Sequence, residues 1–346
     1  MWAVPVSDLA GVARHVLDTV RAGLPGWRLV VLCPPGPLAD AVREAGGEVV
    51  AAPFGPAAGT VASARTLRRV VRSVRPDVVH SHLSYADVVV AGATPRGPLL
   101  VTTEHGIADD DLVYHGNAAK ARLMAGVHRT RLRRFGPVLA VSEATAGAMR
   151  AKWSVRQPIV VTPNGIDRVS TGSTDPVGPS APRILSLARL APEKRLPDLV
   201  RAFAVVRRER PGAVLTLAGS GPLEGELRAL ADGLGVGDAV QLPGYVDAAA
   251  ALAEHDVLAL LSVWENCSYA LLDALVAGAG VVASDVGGNP EILPARCLVD
   301  ASDQAAVAAA LLAQADPASR PTLAPTWPTT SQMTERIAAV YEGALR

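Results

Sequence analysis

Little in this chain could hold it together covalently or anchor it in a bilayer. Cysteine occurs three times in 346 residues, at Cys33, Cys267 and Cys297. The number is odd and no C-x-x-C spacing occurs, which argues against a disulfide framework and a thiolate zinc site and for a reducing, cytoplasmic setting. Aromatics make up 4% of the residues and are not interleaved with positive charge, so a nucleic-acid partner lacks support. The opening MWAVPVSDLAG has neither a basic n-region nor an apolar core, and does not read as a signal peptide. No uncharged apolar run reaches the ~18 residues of a membrane span. The best candidate, Ala270–Val286, is broken by Asp273 and several glycines.

What is present is aliphatic. Hydrophobic residues make up 49% of the chain, mostly Val, Leu and Ala, as parallel sheets covered by helices require. Short β-branched runs at Leu29–Leu32, Val49–Ala51, Val78–His80, Leu99–Thr102, Val138–Val141 and Ile159–Thr162 are bounded by turn residues. Helical stretches such as Val61–Val74 and Glu143–Lys152 lie between several of them, which implies βαβ units. The polar stretch Ser170–Pro182 reads as a linker. The alternation then restarts at Ile184–Ala188, Val214–Ala218, Val240–Leu242, Val257–Leu261 and Val281–Ser284.

The fold class predicted is α/β, with two facing, doubly wound Rossmann-like domains and ligands in the cleft at the strands' carboxyl ends. The boundaries expected are 1–169, a 170–182 linker, 183–330, and a C-terminal helix at 331–346 that packs back on the first domain. Net charge is zero, but residues 1–168 carry 20 Lys+Arg against 13 Asp+Glu, so the remainder is acidic by the same margin. Such a dipolar chain can dock its basic half on an anionic surface, or simply carry two separately solvated surfaces.

Two segments suggest chemistry. In SVWENCSYALLDALVAGAGVVASDVGGNPEIL (262–293), a strand runs into a polar turn with Glu265, and a helix begins near Ser268. A helix start offers free N–H groups to a diphosphate. Asp273 follows Glu265 by eight residues, a little over two helical turns, so the two acids can contact different parts of one extended ligand. The plainer alternative is a capping acid and a solvated helix residue. In LSLARLAPEKRL (185–196), Arg189 and Lys194 follow a buried strand, as a diphosphate clamp would, although surface cations look similar. The glycines of AGSGPL lack the third member of a dinucleotide fingerprint, since Glu224 stands there.

The ordered set R-x4-K, E-x7-acid and VVASDVGGNPE resembles glycosyltransferase family 4, the retaining GT-B enzymes. DLAGVARHV, RPDVVHSHLSYA, TTEHGI, LAVSEATAGAMR and VTPNGID extend the resemblance along the first half, and AGSGPLEGEL and LPGYVD along the second. The resemblance implies a GT-B fold, a nucleotide-diphosphate sugar (UDP- or GDP-linked) as co-substrate, no metal and no other cofactor. It implies that Gly11 brings its backbone N–H to the phosphate, and that Arg189 and Lys194 neutralise the diphosphate. Glu265, helped by the amides of Asn266, Cys267, Ser268, Tyr269 and Ala270, would hold the sugar, and Asp273 the ribose. Gly219 and Val246 would line the base, and His105 would sit over the donor sugar. The chain departs from the family pattern in having Asp273 for the usual Glu, Ala10 before Gly11, Arg195 for a glycine, and room for only an abbreviated first strand.

Same-face attack, with the leaving phosphate accepting the acceptor's proton, is the mechanism expected, with closure about Ser170–Pro182 excluding water. The basic stretch Lys120–Arg134 reads as an amphipathic helix suited to an anionic membrane, and Arg65–Arg75 adds five arginines. A solvated helix packed on its own domain is the alternative. Functional alternatives are a GT-B sugar-nucleotide epimerase or hydrolase and a catalytically silent nucleotide-sugar-binding protein.

Overall fold

A computed structural model describes residues 1–107, 118–168 and 181–346. The chain forms two compact units, Met1–Asp167 with Pro328–Arg346, and Arg168–Trp327. Pro328–Thr330 thus belong with the first unit, whereas the sequence reading placed them in the second. Most of the anticipated linker, 170–180, lies outside the described residues.

The first unit holds seven strands: β1 (Trp2–Ala3), β2 (Val30–Cys33), β3 (Glu48–Ala51), β4 (Val78–His82), β5 (Leu99–Glu104), β6 (Val138–Ala140) and β7 (Ile159–Val161). They pair in the order β3-β2-β1-β4-β5-β6-β7, and every pairing is parallel. The second unit holds β8 (Arg183–Leu187), β9 (Val214–Ala218), β10 (Val240–Gly244), β11 (Val257–Leu260), β12 (Gly280–Ser284) and β13 (Leu298–Val299), in the order β10-β9-β8-β11-β12-β13. All of these pairings are parallel too. Each sheet therefore reverses its winding once, at β1/β4 and at β8/β11. The loops leaving those strands diverge there and open a crevice at their carboxyl ends.

Burial explains why the strands were readable. β2, β4, β11 and β12 are buried at every residue, so β2, β11 and β12 are largely runs of Val, Leu and Ala rather than alternating patterns, whereas β4 ends in the buried His80, Ser81 and His82. β1 is also fully buried but only two residues long, and Trp2, one of the largest fully buried side chains, fixes it. β13 was not anticipated, because two residues give no periodicity to detect.

The first unit is closed by its last segment. Helix Thr330–Leu345 begins with a capping box, Thr329 accepting from the Gln332 amide and the Gln332 side chain accepting from the Thr329 amide. Met333, Ile337, Ala338 and Tyr341 of this helix share one core with Trp2, Val16, Val31 and Leu139. The chain at Gly165 crosses so close to Thr329 and Thr330 that a Cβ there would strike their backbone.

Candidate functional site

Two clusters of side chains sit at the carboxyl ends of the strands flanking the two switch points, one in each unit.

In the second unit, β8 leads through Arg189 into a 3-10 turn, Pro192–Lys194, and β11 leads through Ser262 to Glu265. The two loops meet. Lys194 Nζ lies 2.5 Å from Glu265 Oε1 and 3.3 Å from Ser262 Oγ, while Ser262 Oγ donates to the same carboxylate oxygen at 2.7 Å. Both members of this pair are largely buried, at 20% and 13% side-chain exposure, so the interaction is little screened by solvent. Arg189 is different: its side chain is 73% exposed and paired with Glu193. The structure thus joins Lys194 to Glu265 but leaves Arg189 outside that contact.

Glu265 is held by its backbone as well. Gly288 N–H donates to the Glu265 carbonyl at 3.2 Å. Gly287, at φ +52°, passes so close to that carbonyl that no Cβ fits. Similarly, Gly219 (φ +140°) and Gly221 pass against the backbone of Ala188 and Leu190, packing the β9 loop onto the β8 loop. After Glu265, Asn266 and Cys267 are buried, and Ser268 occupies the cap position of helix Tyr269–Val276 without making a side-chain capping bond. The amides from Ser268 onward are therefore the first N–H groups of a helix. Tyr269 is buried and Ala270 and Asp273 are half-buried on that helix. Val246 is half-buried in the loop after β10, beside Tyr245, which is 81% exposed.

In the first unit, Gly11 opens helix Gly11–Ala22 and is exposed, with nothing near the position a Cβ would take. That helix carries His15. β4 carries His80 and His82, two residues apart and so on one face of the strand. His105 follows β5. The rings gather around Trp2, with His82 4.4 Å and His15 5.6 Å from the indole, centroid to centroid. His82 Nδ1 is 2.8 Å from His105 Nε2, and His15 Nδ1 is 3.2 Å from Asn164 Oδ1. His80 is bonded at both ring nitrogens, to Tyr341 OH and, at 2.8 Å, to Thr103 Oγ1. Burial, aided by mutual repulsion, pushes the imidazoles of His80, His82 and His105 well below their ordinary range. Burial takes His15 down to about 4, against the opposing hydrogen bond it makes to Asn164.

Behind His105 lies a buried ion cluster. Arg131 reaches Asp87 at 2.8 Å and Glu104 at 3.2 Å, and donates to the Ser84 carbonyl at 2.8 Å. It fixes the end of β5 immediately before His105. Burial still pushes the Glu104 carboxyl up to about 7, with Arg131 opposing that rise.

This cluster bears on the two readings of Lys120–Arg134 and favours the helix packed on its own domain. Arg131 and Leu132 of helix Ala118–Leu132 are buried, and Arg134 is spent on the carbonyls of Ala91 and Thr94. Arg129, Arg133 and Leu123 face outward, whereas nothing is described for the Lys120 and Arg122 side chains. The interleaved pattern is divided between core and solvent, as the alternative of a helix packed on its own domain expects.

Sequence reasoning singled out His105 but not His15, His82, Ser262 or Gly287. The signals were slight: His82 ends a strand at a switch point, and Gly287 belongs to a Gly-Gly pair after β12.

Comparison with known proteins follows the same two halves. The family described as "Glycosyltransferase Family 4" matches residues 9–169, and "Glycosyl transferases group 1" matches residues 181–316. The chain belongs to glycosyltransferase family 4. A relative named for colanic acid biosynthesis, the glycosyltransferase WcaL of Escherichia coli (strain K12), is 27% identical over 71% of this chain and 63% of its own length. Glycogen synthase of Mycobacterium tuberculosis is 29% identical over 84% of this chain and 78% of its own. Among solved structures, Anabaena Alr3699/HepE in complex with UDP and glucose superposes with a TM-score of 0.77 at 18% identity, covering 99% of this chain and 98% of that one. That likeness gives the fold: two Rossmann-like domains of the GT-B class.

Proposed function

We propose that this family 4 chain is a retaining, metal-independent glycosyltransferase that moves a hexose-type sugar from a UDP- or GDP-linked donor to a lipid, glycan or small-molecule acceptor. The observation that carries this reading is the Lys194–Glu265 pair at the carboxyl ends of β8 and β11. A diphosphate sugar supplies what each member lacks without the other, phosphate oxygens for the ammonium and hydroxyl donors for the carboxylate. In this reading the donor separates the pair. Lys194 turns to the diphosphate with Arg189, whose exposed side chain needs only to leave Glu193. Glu265 then accepts from sugar hydroxyls, the amides following it assist, and Asp273 reaches the ribose.

When the anomeric bond breaks, negative charge builds on the leaving diphosphate. Lys194, Arg189, the Gly11 N–H and the helix start at Ser268 stabilise it, and removing one such preorganised donor costs on the order of 10²–10³ in rate. The acceptor attacks from the face the phosphate leaves, and its proton passes to the phosphate oxygen. His105, kept neutral by burial, contacts the donor sugar near the reacting carbon. Gly219 and Val246 line the base.

The acceptor surface belongs to the first unit. Arg65, Arg68, Arg69 and Arg72 of helix Thr60–Val74 are exposed, and that helix carries no acid. They support peripheral docking on the cytoplasmic face of an anionic membrane better than Lys120–Arg134 does. Cosedimentation with anionic but not neutral liposomes, reduced in Arg68→Glu/Arg72→Glu, tests this part alone.

Calorimetric titration with UDP, GDP and ADP in the absence of metal tests the whole. Binding of one nucleotide, lost in Arg189→Ala/Lys194→Ala, supports the clamp. Failure of all three to bind the folded chain overturns it. Donor turnover without acceptor would favour an epimerase or hydrolase.

A further inference from the structure

We propose that the first unit carries a transition-metal site, taking one Zn²⁺-class ion on His15, His82 and His105. One ring nitrogen of each histidine lies within 4.8 Å of one on each of the others. The ring centroids stand 4.9, 5.1 and 5.6 Å apart. An imidazole nitrogen sits about 2.0–2.1 Å from zinc and the ring centre roughly 1 Å further, so the centroids of a tetrahedral tris-histidine site are about 5 Å apart. The spacing of the whole rings therefore suits the ion, and rotation about the side chains aims the nitrogens.

The hydrogen bonding separates these histidines from their neighbour. His80 has both nitrogens satisfied and is a structural residue. His15 and His82 each keep a buried Nε2 with no partner. A buried polar atom in that state costs about 1–3 kcal/mol. If His15 Nδ1–H donates to Asn164 Oδ1, its Nε2 presents a bare lone pair, and an amide oxygen orients the ring from behind as outer partners of ligating histidines do. His82 Nδ1 faces His105 Nε2 at 2.8 Å, and ion binding must break that hydrogen bond, because a neutral His105 has one lone pair and cannot both accept from His82 and ligate the ion. His105 is half-buried, and a solvent molecule would complete the coordination of the three histidines. Neutral imidazoles with no nearby carboxylate oxygen in the set favour Zn²⁺, Cu²⁺, Ni²⁺ or Co²⁺ over Mg²⁺ or Mn²⁺. The site is thus chemically distinct from a diphosphate-bound Mg²⁺. It shares His105 with the proposed sugar contact, and only that link rests on the functional reading above.

The probe is Co²⁺ added to the tag-free chain, followed by visible spectroscopy, with Zn²⁺ then displacing it. One Co²⁺ per chain with the intense d–d bands of a tetrahedral ion is expected. Affinity should fall at least tenfold in His15→Gln and in His82→Gln, and stay unchanged in His255→Gln, whose ring lies in the second unit. Circular dichroism of each variant, and its nucleotide binding through the second unit, report that it is folded. Should the folded His15→Gln and His82→Gln variants bind Co²⁺ as the parent does, or the parent give only the weak bands of an octahedral ion, the site does not exist. Either result leaves the donor clamp untouched, because nucleotide titration reads that separately.

Discussion

Replacing Gly287 by alanine is the sharpest test of how Glu265 is positioned. The substitution adds one methyl group and touches no charge. Its Cβ would lie far inside 3.0 Å of the Glu265 carbonyl oxygen, a distance real Cβ atoms essentially never undercut. One of the two backbones must therefore retreat by about 1 Å or more, and a displacement of that size at a positioned group costs on the order of 10²-fold in rate. The move also disturbs the Gly288 N–H bond to the same carbonyl. The left-handed conformation itself, φ +52° at Gly287, adds about 1–2 kcal/mol for a residue with a side chain. Gly278 separates the two effects: at φ +72° it has nothing within 4 Å of its Cβ position. Gly278→Ala thus carries the conformational cost without the collision. With UDP- and GDP-sugars as donors, initial-rate assays on both variants should show about a 10²-fold loss in kcat for Gly287→Ala and less than threefold for Gly278→Ala. Thermal melting should show destabilisation of Gly278→Ala by the conformational cost alone and a larger destabilisation of Gly287→Ala, which adds the collision. Equal activity in both variants would refute the claim that Gly287 sets the position of Glu265.

Three other perturbations probe the first unit. Arg131→Met should cost about 3–5 kcal/mol in urea denaturation, because it strands Asp87 and Glu104 as buried, uncompensated acids; a loss under 1 kcal/mol would mean that those acids are neutral. Tyr341→Phe removes the hydroxyl that accepts from Trp2 Nε1 at 2.9 Å and bonds His80, and should lower stability by about 1–3 kcal/mol with no change in nucleotide affinity. Burial raises the Cys33 thiol from 9.0 to about 11, so the native chain should resist alkylation at this site at pH 8 and react on unfolding. The folded pKa lies above the unfolded one, so Cys33 contributes stability that is fully present below pH 9 and lost as pH rises through about 11. Comparison with Cys33→Ala across that window should reveal up to about 3 kcal/mol of difference.

The parts of this molecule legible in its sequence are those whose cause is local. Val214–Ala218 was readable as a strand to the residue because burial on both faces favours a continuous run with β-branched and aliphatic residues, here Val-Leu-Thr-Leu-Ala. Arg189, Lys194 and Glu265 were found through motif spacing, but their spacing does not show which of them touch. Lys194 and Glu265 are 71 residues apart, and only the adjacency of β8 and β11 joins them. His15, His82 and Asn164 come from three widely separated loops and elements, and each alone is an ordinary residue beside apolar neighbours. Helix Ala118–Leu132 left two readings open for the opposite reason. Arg131 looks like any surface arginine in sequence, and its two acidic partners lie 44 and 27 residues away.

The return of helix Thr330–Leu345 to the first unit has a consequence for the order in which the protein is made. Trp2 leaves the ribosome before the whole of Arg168–Trp327, yet Tyr341, which caps its indole, emerges only after it. During synthesis the first unit must wait with one flank of its sheet uncovered, while the second unit already has every strand of its own. The half of the chain that is translated later is therefore the half able to finish folding first. Chaperone dependence should track that waiting apolar flank, formed by Val16, Leu17 and Leu139, and not the second unit.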